Sequence, residues 1–301
     1  MSAPMPEDRF DYIVIGAGSG GCVLAARPSA DATRPALVLE AGGLDNWIWF
    51  HIPVGYLFAI GNPRSDWLMR TTAQGGLNGR DIAYPRGKAI GGSSAINAML
   101  YLRGQAADYD GWRQLGLTGW AWDDVLPLFK AHEGHAEGAS EFHGGDGPLK
   151  VSRARARWEI LDSFRDAAEA VGIPKTDDFN RGDNFGSSYF QVTQKNGLRC
   201  SAARAFLKPA LKRPNLKLET GAVVEKIEIK DGRAVAVLYR KDGALRRASA
   251  SGEIVLSAGA VKSPQILELS GVGRGEALQG LGVPVVRELP GVGENLQDHL
   301  Q

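Results

Sequence analysis

The stretch Phe10-Asp11-Tyr12-Ile13-Val14-Ile15-Gly16-Ala17-Gly18-Ser19-Gly20-Gly21-Cys22-Val23-Leu24-Ala25-Ala26 decides the fold. Its first six residues form a short apolar, β-rich run suited to a strand buried on both faces. Its last five read as a helix, which Pro28 should end because proline breaks a helix interior. Between them, Gly16, Gly18 and Gly21 stand in G-x-G-x-x-G spacing. In this strand-to-helix context Gly16 permits the tight turn, Gly18 admits a pyrophosphate to the backbone, and Gly21 lets helix and strand pack closely. Helix N-terminal N–H groups supply donors and partial positive charge for phosphates. Ala36-Leu37-Val38-Leu39 is a second buried strand, so the segment is one βαβ unit whose crossover should be right-handed. Glu40 follows it, about 20 residues beyond the turn, placed to accept from a ribose and to repel a 2′-phosphate. The motif points to dinucleotide binding and leaves NAD and FAD both open, while the carboxylate disfavours NADP.

Composition bounds what surrounds this unit. The chain has 301 residues, room for two domains, with 44% hydrophobic and 23% charged residues, an ordinary globular mix. Glycine stands out at 39 residues, nearly twice its usual ~7%, and sits in short clusters without a triplet period. A formal net charge of +1 gives no field to attract nucleic acid or anionic lipid. Two cysteines, Cys22 and Cys200, are too few for a disulfide framework. Met1 to Arg9 is acidic and proline-bearing, without a signal pattern, and no stretch has the apolar length of a membrane span. These features make a cytoplasmic protein the expectation.

The chain between and beyond the strands is organised by glycine, proline and aromatic residues. Residues 44–81 are irregular and carry Trp47, Trp49 and Trp67, and a loop of that length is usually functional. Gly87-Lys88-Ala89-Ile90-Gly91-Gly92-Ser93-Ser94-Ala95-Ile96-Asn97 is a second glycine–serine loop that reads as opening a helix. Residues 112–131 follow a helical pattern, and 133–147 form a glycine-rich loop. Apolar positions 158, 160, 161, 164, 167, 168 and 171 predict an amphipathic helix. Leu216–Thr220 alternates as a strand, Val223–Ile229 and Ala234–Tyr239 form a hairpin across Lys230-Asp231-Gly232-Arg233, and Ile254–Gly259 is another buried strand. Ser263-Pro264 reads as an N-cap followed by proline at the first helical position.

Residues 87–110, with Asn97, Tyr101 and Gly104 in place, resemble the first signature of the glucose–methanol–choline (GMC) oxidoreductases, and residues 259–273 resemble the second. The opening glycine motif and the closing Gly291-Val292-Gly293-Glu294-Asn295-Leu296-Gln297-Asp298-His299 also fit, so the resemblance covers the whole chain. It is strongest to choline-dehydrogenase-like alcohol dehydrogenases. It implies an α/β fold: a Rossmann-like FAD-binding domain from residues 8–45, 80–110 and 215–301, a flavin-covering loop at 46–79, and part of an α+β substrate-binding domain at 111–214. It implies that Gly16, Gly18, Ser19 and Gly21 hold the pyrophosphate and Glu40 the adenosine ribose. Ala89 and Gly92 would line the flavin channel, Asn97, Ala98, Met99 and Leu100 would lie along the flavin, and Val224 would meet the adenine through its backbone. The implied activity is oxidation of a small alcohol by hydride transfer to flavin N5, with no acceptor indicated.

Two departures shape these expectations. Some family members attach FAD through a histidine where Ile96 stands here, so the flavin is expected to be noncovalent. The family's catalytic histidine follows the closing motif and has no counterpart in these residues, so no catalytic residue is assigned and the chain is expected to be an N-terminal portion, with apolar surface exposed. A non-catalytic FAD-binding remnant and an NAD-linked dehydrogenase are the competing readings. His132 and His135 lie three apart, unlike the four of the H-E-x-x-H zinc motif, so they read as a polar loop pair and no metal is expected. His51 and His143 read as structural, Arg153, Arg155 and Arg157 as a solvated edge, and Cys22 as packed beneath the first helix.

Overall fold

The computed structural model describes residues 7–298. The N-terminal segment before Glu7 and His299 lie outside the described residues. The main strands are β1 (Glu7–Ile15), β2 (Ala36–Leu39), β3 (Leu100–Tyr101), β4 (Glu133–His135), β5 (Leu149–Arg153), β6 (Gln191–Val192), β7 (Leu216–Glu219), β8 (Val223–Lys230), β9 (Arg233–Lys241) and β10 (Ala244–Leu256). The main helices are α1 (Ser19–Ala26), α2 (Ala106–Gln114), α3 (Trp122–His132), α4 (Glu159–Ala170), α5 (Gly259–Leu269) and α6 (Gly275–Gly280).

Two compact units divide the chain: residues 1–50, 55–96 and 202–301 form the first, and 51–54 and 97–201 the second. Residues 97–110, expected with the glycine-turn domain, therefore belong to the second unit, and residues 202–214, expected with the second, belong to the first.

The first unit is a six-stranded sheet in the order β7-β2-β1-β10-β9-β8. Its first four strands are parallel and its last three antiparallel. Alternation along β1 and β2 explains why both faces are apolar. Val14 and Val38 pack with Cys22, Ala25, Leu207 and Leu216 on one face. Ile13, Ile15, Leu37 and Leu39 pack with Val237, Tyr239 and Ile266 on the other. Helix α1 thus covers one face and α5 the other, as a doubly covered parallel sheet requires. Cys22 is buried, its thiol donates to the Ala17 carbonyl at 3.1 Å, and burial pushes its pKa up to about 12. It is a packing residue, not a nucleophile.

Three local expectations need correction. Helix α5 begins at Gly259, with Ala258 as its N-cap, and Pro264 lies inside it. The Ser263-Pro264 pair therefore caps nothing, and the proline only removes one helical N–H donor. The second glycine cluster forms a single 3₁₀ turn at Gly92–Ala95 instead of opening an α-helix. Gly91 and Gly92 adopt φ values of 92° and 53°, which an α-helix cannot continue through. Glu133–His135, read as loop, is β4 and pairs in parallel with β5.

In the second unit, β3-β6-β5-β4 form a small sheet beside α2, α3 and α4. Helix α4 forms as its periodicity predicts, yet of its residues only Ala168 is buried, and Ile160 and Phe164 are 72% and 70% exposed. Among the described residues, no helix is long and apolar enough to cross a membrane.

Candidate functional site

The first unit contains a cavity of about 870 Å³ at the C-terminal ends of its parallel strands. This is where open α/β sheets bind ligands, and the volume suits a dinucleotide-sized one. Its floor is the glycine turn. Gly16 has φ +92°, and a Cβ there would lie 2.6 Å from the Ser257 carbonyl oxygen, so no other residue fits. A Cβ on Gly21 would lie 1.8 Å from the Gly16 oxygen, which fixes how closely α1 approaches β1. Gly18 differs: a Cβ there meets nothing closer than 4.0 Å. Its missing side chain leaves open space where a phosphate can reach the backbone, and a Cβ on Gly92 would lie 2.7 Å from the Gly18 Cα. The two glycine loops thus meet backbone to backbone at the cavity wall.

Glu40 ends β2 and lines the cavity. Its Oε2 accepts from Ala17 N at 2.8 Å and its Oε1 from Gly42 N at 2.7 Å. Burial pushes its pKa above the usual carboxylate range despite these two donors. Both oxygens keep a free lone pair, so ribose hydroxyls can donate to them without displacing either bond. Ser257 also lines the cavity, and its hydroxyl donates to the Ile15 and Gly16 carbonyls at 3.0 and 3.1 Å, holding the turn in place.

The expected residues sort clearly. Gly16, Gly18, Ser19, Glu40, Gly92 and Val224 line the cavity together. Gly21 lies beneath the turn, and Ala89 is buried with Phe50, Ala59, Ala95 and Ile96. Asn97, Ala98, Met99 and Leu100 belong to the second unit. There Met99 has φ 64°, a strained conformation for its side chain. Three hydrogen bonds hold it: Met99 N donates to Asn97 Oδ1, and Thr193 N and Oγ1 donate to the Met99 carbonyl. Asn97 Oδ1 also accepts from Arg199 Nη1 at 2.7 Å, and burial pulls the Arg199 pKa down to about 10. Sequence reading named Trp67 only as one tryptophan of the irregular loop and gave no individual role to Arg199 or to the cavity residues Met69, Ser257 and Lys262. A strand end entering a helix at Gly259 was the available signal for the last two.

The histidines also need correction. His132 ends α3 and His135 is buried in β4, so neither lies in a loop, and the His135 ring lies 4.3 Å from that of His143. His143 is held on both sides, by Glu133 at 2.9 Å through Nδ1 and by Asp178 at 2.8 Å through Nε2. Arg103 Nη2 donates to Glu133 at 2.7 Å. Both ring nitrogens of His143 face carboxylates, so the ring is doubly protonated. Burial alone would lower its pKa, but the bonds to Asp178 and Glu133 raise it to about 9. Glu133, His135 and His143 have the donor types and proximity for a metal, yet a proton and a guanidinium already neutralise the carboxylates.

Comparison with known proteins places this geometry. A family model described as GMC oxidoreductase matches residues 10–301. The chain is 44% identical to a mitochondrial choline dehydrogenase of Homo sapiens over 98% of its own length and 51% of the relative's. It is 43% identical to an alcohol dehydrogenase [acceptor] of Pseudomonas putida, covering 97% of this chain and 53% of that one. Among solved structures, pyridoxine 4-oxidase from Mesorbium loti superposes with a TM-score of 0.89 at 33% identity, covering 93% of this chain and 55% of that one. The chain spans about half the length of the curated relatives it matches.

Proposed function

The chain belongs to the GMC oxidoreductase family, and from that premise we propose that it is the FAD-holding part of an enzyme that oxidises a small primary alcohol such as choline. The observation that carries this reading is the cavity itself, where an open Gly18, a buried Glu40 and the Gly92 loop line one space. FAD, when bound, supplies the hydride acceptor for an alcohol carbon. The chain's own residues bind and orient it. The turn at Gly16, Gly18 and Ser19 presents N–H groups to the pyrophosphate, with Gly21 packed beneath it. Glu40 accepts from the adenosine ribose, and Val224 offers its backbone to the adenine. Gly92 lines the channel toward the flavin, Ala89 supports it, and Asn97, Ala98, Met99 and Leu100 lie along the flavin ring. The restrained Met99 backbone suits a surface held rigid against a planar ligand.

Ile96, buried among Phe50, Ala59 and Ala95, offers no nucleophile to the flavin, in keeping with noncovalent attachment. The base that takes the hydroxyl proton is assigned to the half of the relatives that this chain does not span. The test is the visible spectrum of the purified chain before and after acid precipitation. Flavin bands that leave with the supernatant support the reading. A colourless chain that takes up no added FAD overturns it, and colour that stays with the pellet overturns the noncovalent part. One alternative is a chain that binds FAD without turnover. In that case anaerobic choline leaves the bound flavin oxidised.

A further inference from the structure

The dinucleotide turn and its acid account for one wall of the cavity. Trp67 and Met69, from the irregular segment after β2, form another part of the lining, together with Lys262 from the first turns of α5. Trp67 is half-buried, and two ammonium groups approach its ring: Lys262 Nζ at 4.8 Å from the centroid and Lys88 Nζ at 5.0 Å. Both distances lie within cation–π range. Lys262 Nζ also donates to Gln265 Oε1 at 2.9 Å, which fixes its position on the helix.

The charges around the cavity are unevenly matched. Arg86 lies 3.6 Å above the Tyr84 ring and pairs with Asp298 at 3.1 Å. Glu225 pairs with Arg240 at 2.8 Å. Glu40 has both oxygens on backbone N–H groups. Among the described residues, no ion pair within 4 Å involves Lys88 or Lys262. An indole face offsets only part of a half-buried ammonium's lost hydration. Two positive charges are therefore concentrated on one aromatic ring of a cavity whose lining also includes the glycine turn at the start of α1, where helix N–H groups favour an anion.

We propose that Trp67, Lys262 and Lys88 form a cationic clamp that grips the phosphate-bearing adenosine diphosphate half of the cofactor. This deepens the FAD reading and rests on it. In this arrangement Trp67 serves as the platform that holds the two ammonium groups, and Lys262, which lines the cavity, makes the direct charge contact. Gly18 and Gly20 of the turn approach the same diphosphate from the floor. The clamp predicts that affinity resides in the diphosphate and not in either ring system.

The test is binding of FAD, ADP, adenosine and riboflavin to the 301-residue chain, measured by calorimetry with tryptophan fluorescence as a second readout. For Lys262→Met, FAD and ADP should each bind about tenfold more weakly, the loss of one charge-assisted contact. Adenosine and riboflavin should be unchanged. Trp67→Phe should lose most of the fluorescence change on ADP binding and weaken ADP by a similar factor. Wild-type ADP binding should weaken steeply from 50 to 500 mM salt, a measurement that does not depend on any variant folding. ADP affinity within twofold of wild type in Lys262→Met, equal losses for adenosine and ADP, or salt-independent ADP binding overturns the clamp. If the wild-type chain binds neither FAD nor ADP, the cofactor reading itself fails. If it binds both and the variants match it, only the clamp fails.

Discussion

Replacing His143 with glutamine removes the imidazolium charge that the fold holds between the carboxylates of Glu133 and Asp178. In the wild-type fold burial works against that charge, but hydrogen bonds to Asp178 and Glu133 outweigh burial and raise the pKa from 6.5 to about 9. The folded chain therefore binds the proton more tightly than the unfolded chain. The resulting stability is fully present below pH 6.5, falls as pH rises, and is lost above about pH 9. At roughly 1.4 kcal/mol per unit of separation the full contribution is about 3 kcal/mol, and about 2.5 kcal/mol of it disappears between pH 7 and pH 10. The charged or titratable groups around this ring and its partners are Glu133, Asp178, His135 and Glu137, with Arg103 and Tyr101 on the Glu133 side and Arg181 beside Asp178. Burial and the His143 charge lower the His135 pKa, and the hydrogen-bonded carboxylates titrate in the acid range, so these do not confuse the window.

The assay is urea unfolding of wild type and His143→Gln at several values between pH 7 and pH 10, followed by circular dichroism. Other titrations common to both chains cancel in the difference. Wild type should be the more stable at pH 7, with the gap narrowing by 2–3 kcal/mol toward pH 10. A gap that stays constant or widens with pH would refute the argument, as would a wild-type His143 that titrates near 6.5 by NMR.

Two further outcomes follow from geometry elsewhere. Gly21→Ala places a Cβ 1.8 Å from the Gly16 carbonyl, so α1 must move; a stability loss of at least 2 kcal/mol and at least tenfold weaker FAD uptake are expected by titration. Gly20→Ala, with nothing within 4 Å of the new Cβ, should unfold at the wild-type urea midpoint. On α4, Phe164→Lys combined with Ile160→Lys should reduce self-association measured by light scattering while leaving the melting temperature within a few degrees, because both side chains face solvent.

Legibility in the sequence followed the range of the interaction. The glycine turn, Glu40 and the strands around them were readable because the strand, the spaced glycines, the helix and the acid follow one another as a single pattern in the sequence, even though the Ser257 carbonyl that a Cβ on Gly16 would meet lies far along the chain. The start of α5 was misread because Ser263-Pro264 imitates a helix start, whereas the chain had already turned at Gly259 from the end of β10. The helix expected after the second glycine cluster failed because two consecutive positive-φ glycines serve the backbone contact with Gly18 instead. The environment of His143 was invisible because Arg103 and Asp178 are 40 and 35 positions away, and no local pattern marks them. For α4 the periodicity was right about the helix and silent about what its apolar face meets.

The two units also differ in what their charges are free to do, and this decides where ligand chemistry belongs. In the second unit Arg103 and protonated His143 supply two positive charges against the negative charges of Glu133 and Asp178, all buried or nearly so. That cluster is neutral as it stands. A divalent ion at Glu133, His135 and His143 would have to expel the His143 proton, which the fold holds to about pH 9, and would share its carboxylate with a guanidinium 2.7 Å away. Coulomb repulsion in a low-dielectric interior makes both steps costly. In the first unit the balance is the reverse. The glycine turn lines open space, Glu40 keeps spare lone pairs, and Lys88 and Lys262 have an aromatic ring where a carboxylate would neutralise them. A buried cluster that satisfies itself stabilises a fold, whereas one left short of an anion at a cavity wall is completed by a ligand. On that argument an anionic ligand is expected at the cavity wall of the first unit, and a divalent cation is disfavoured at the histidine-rich cluster.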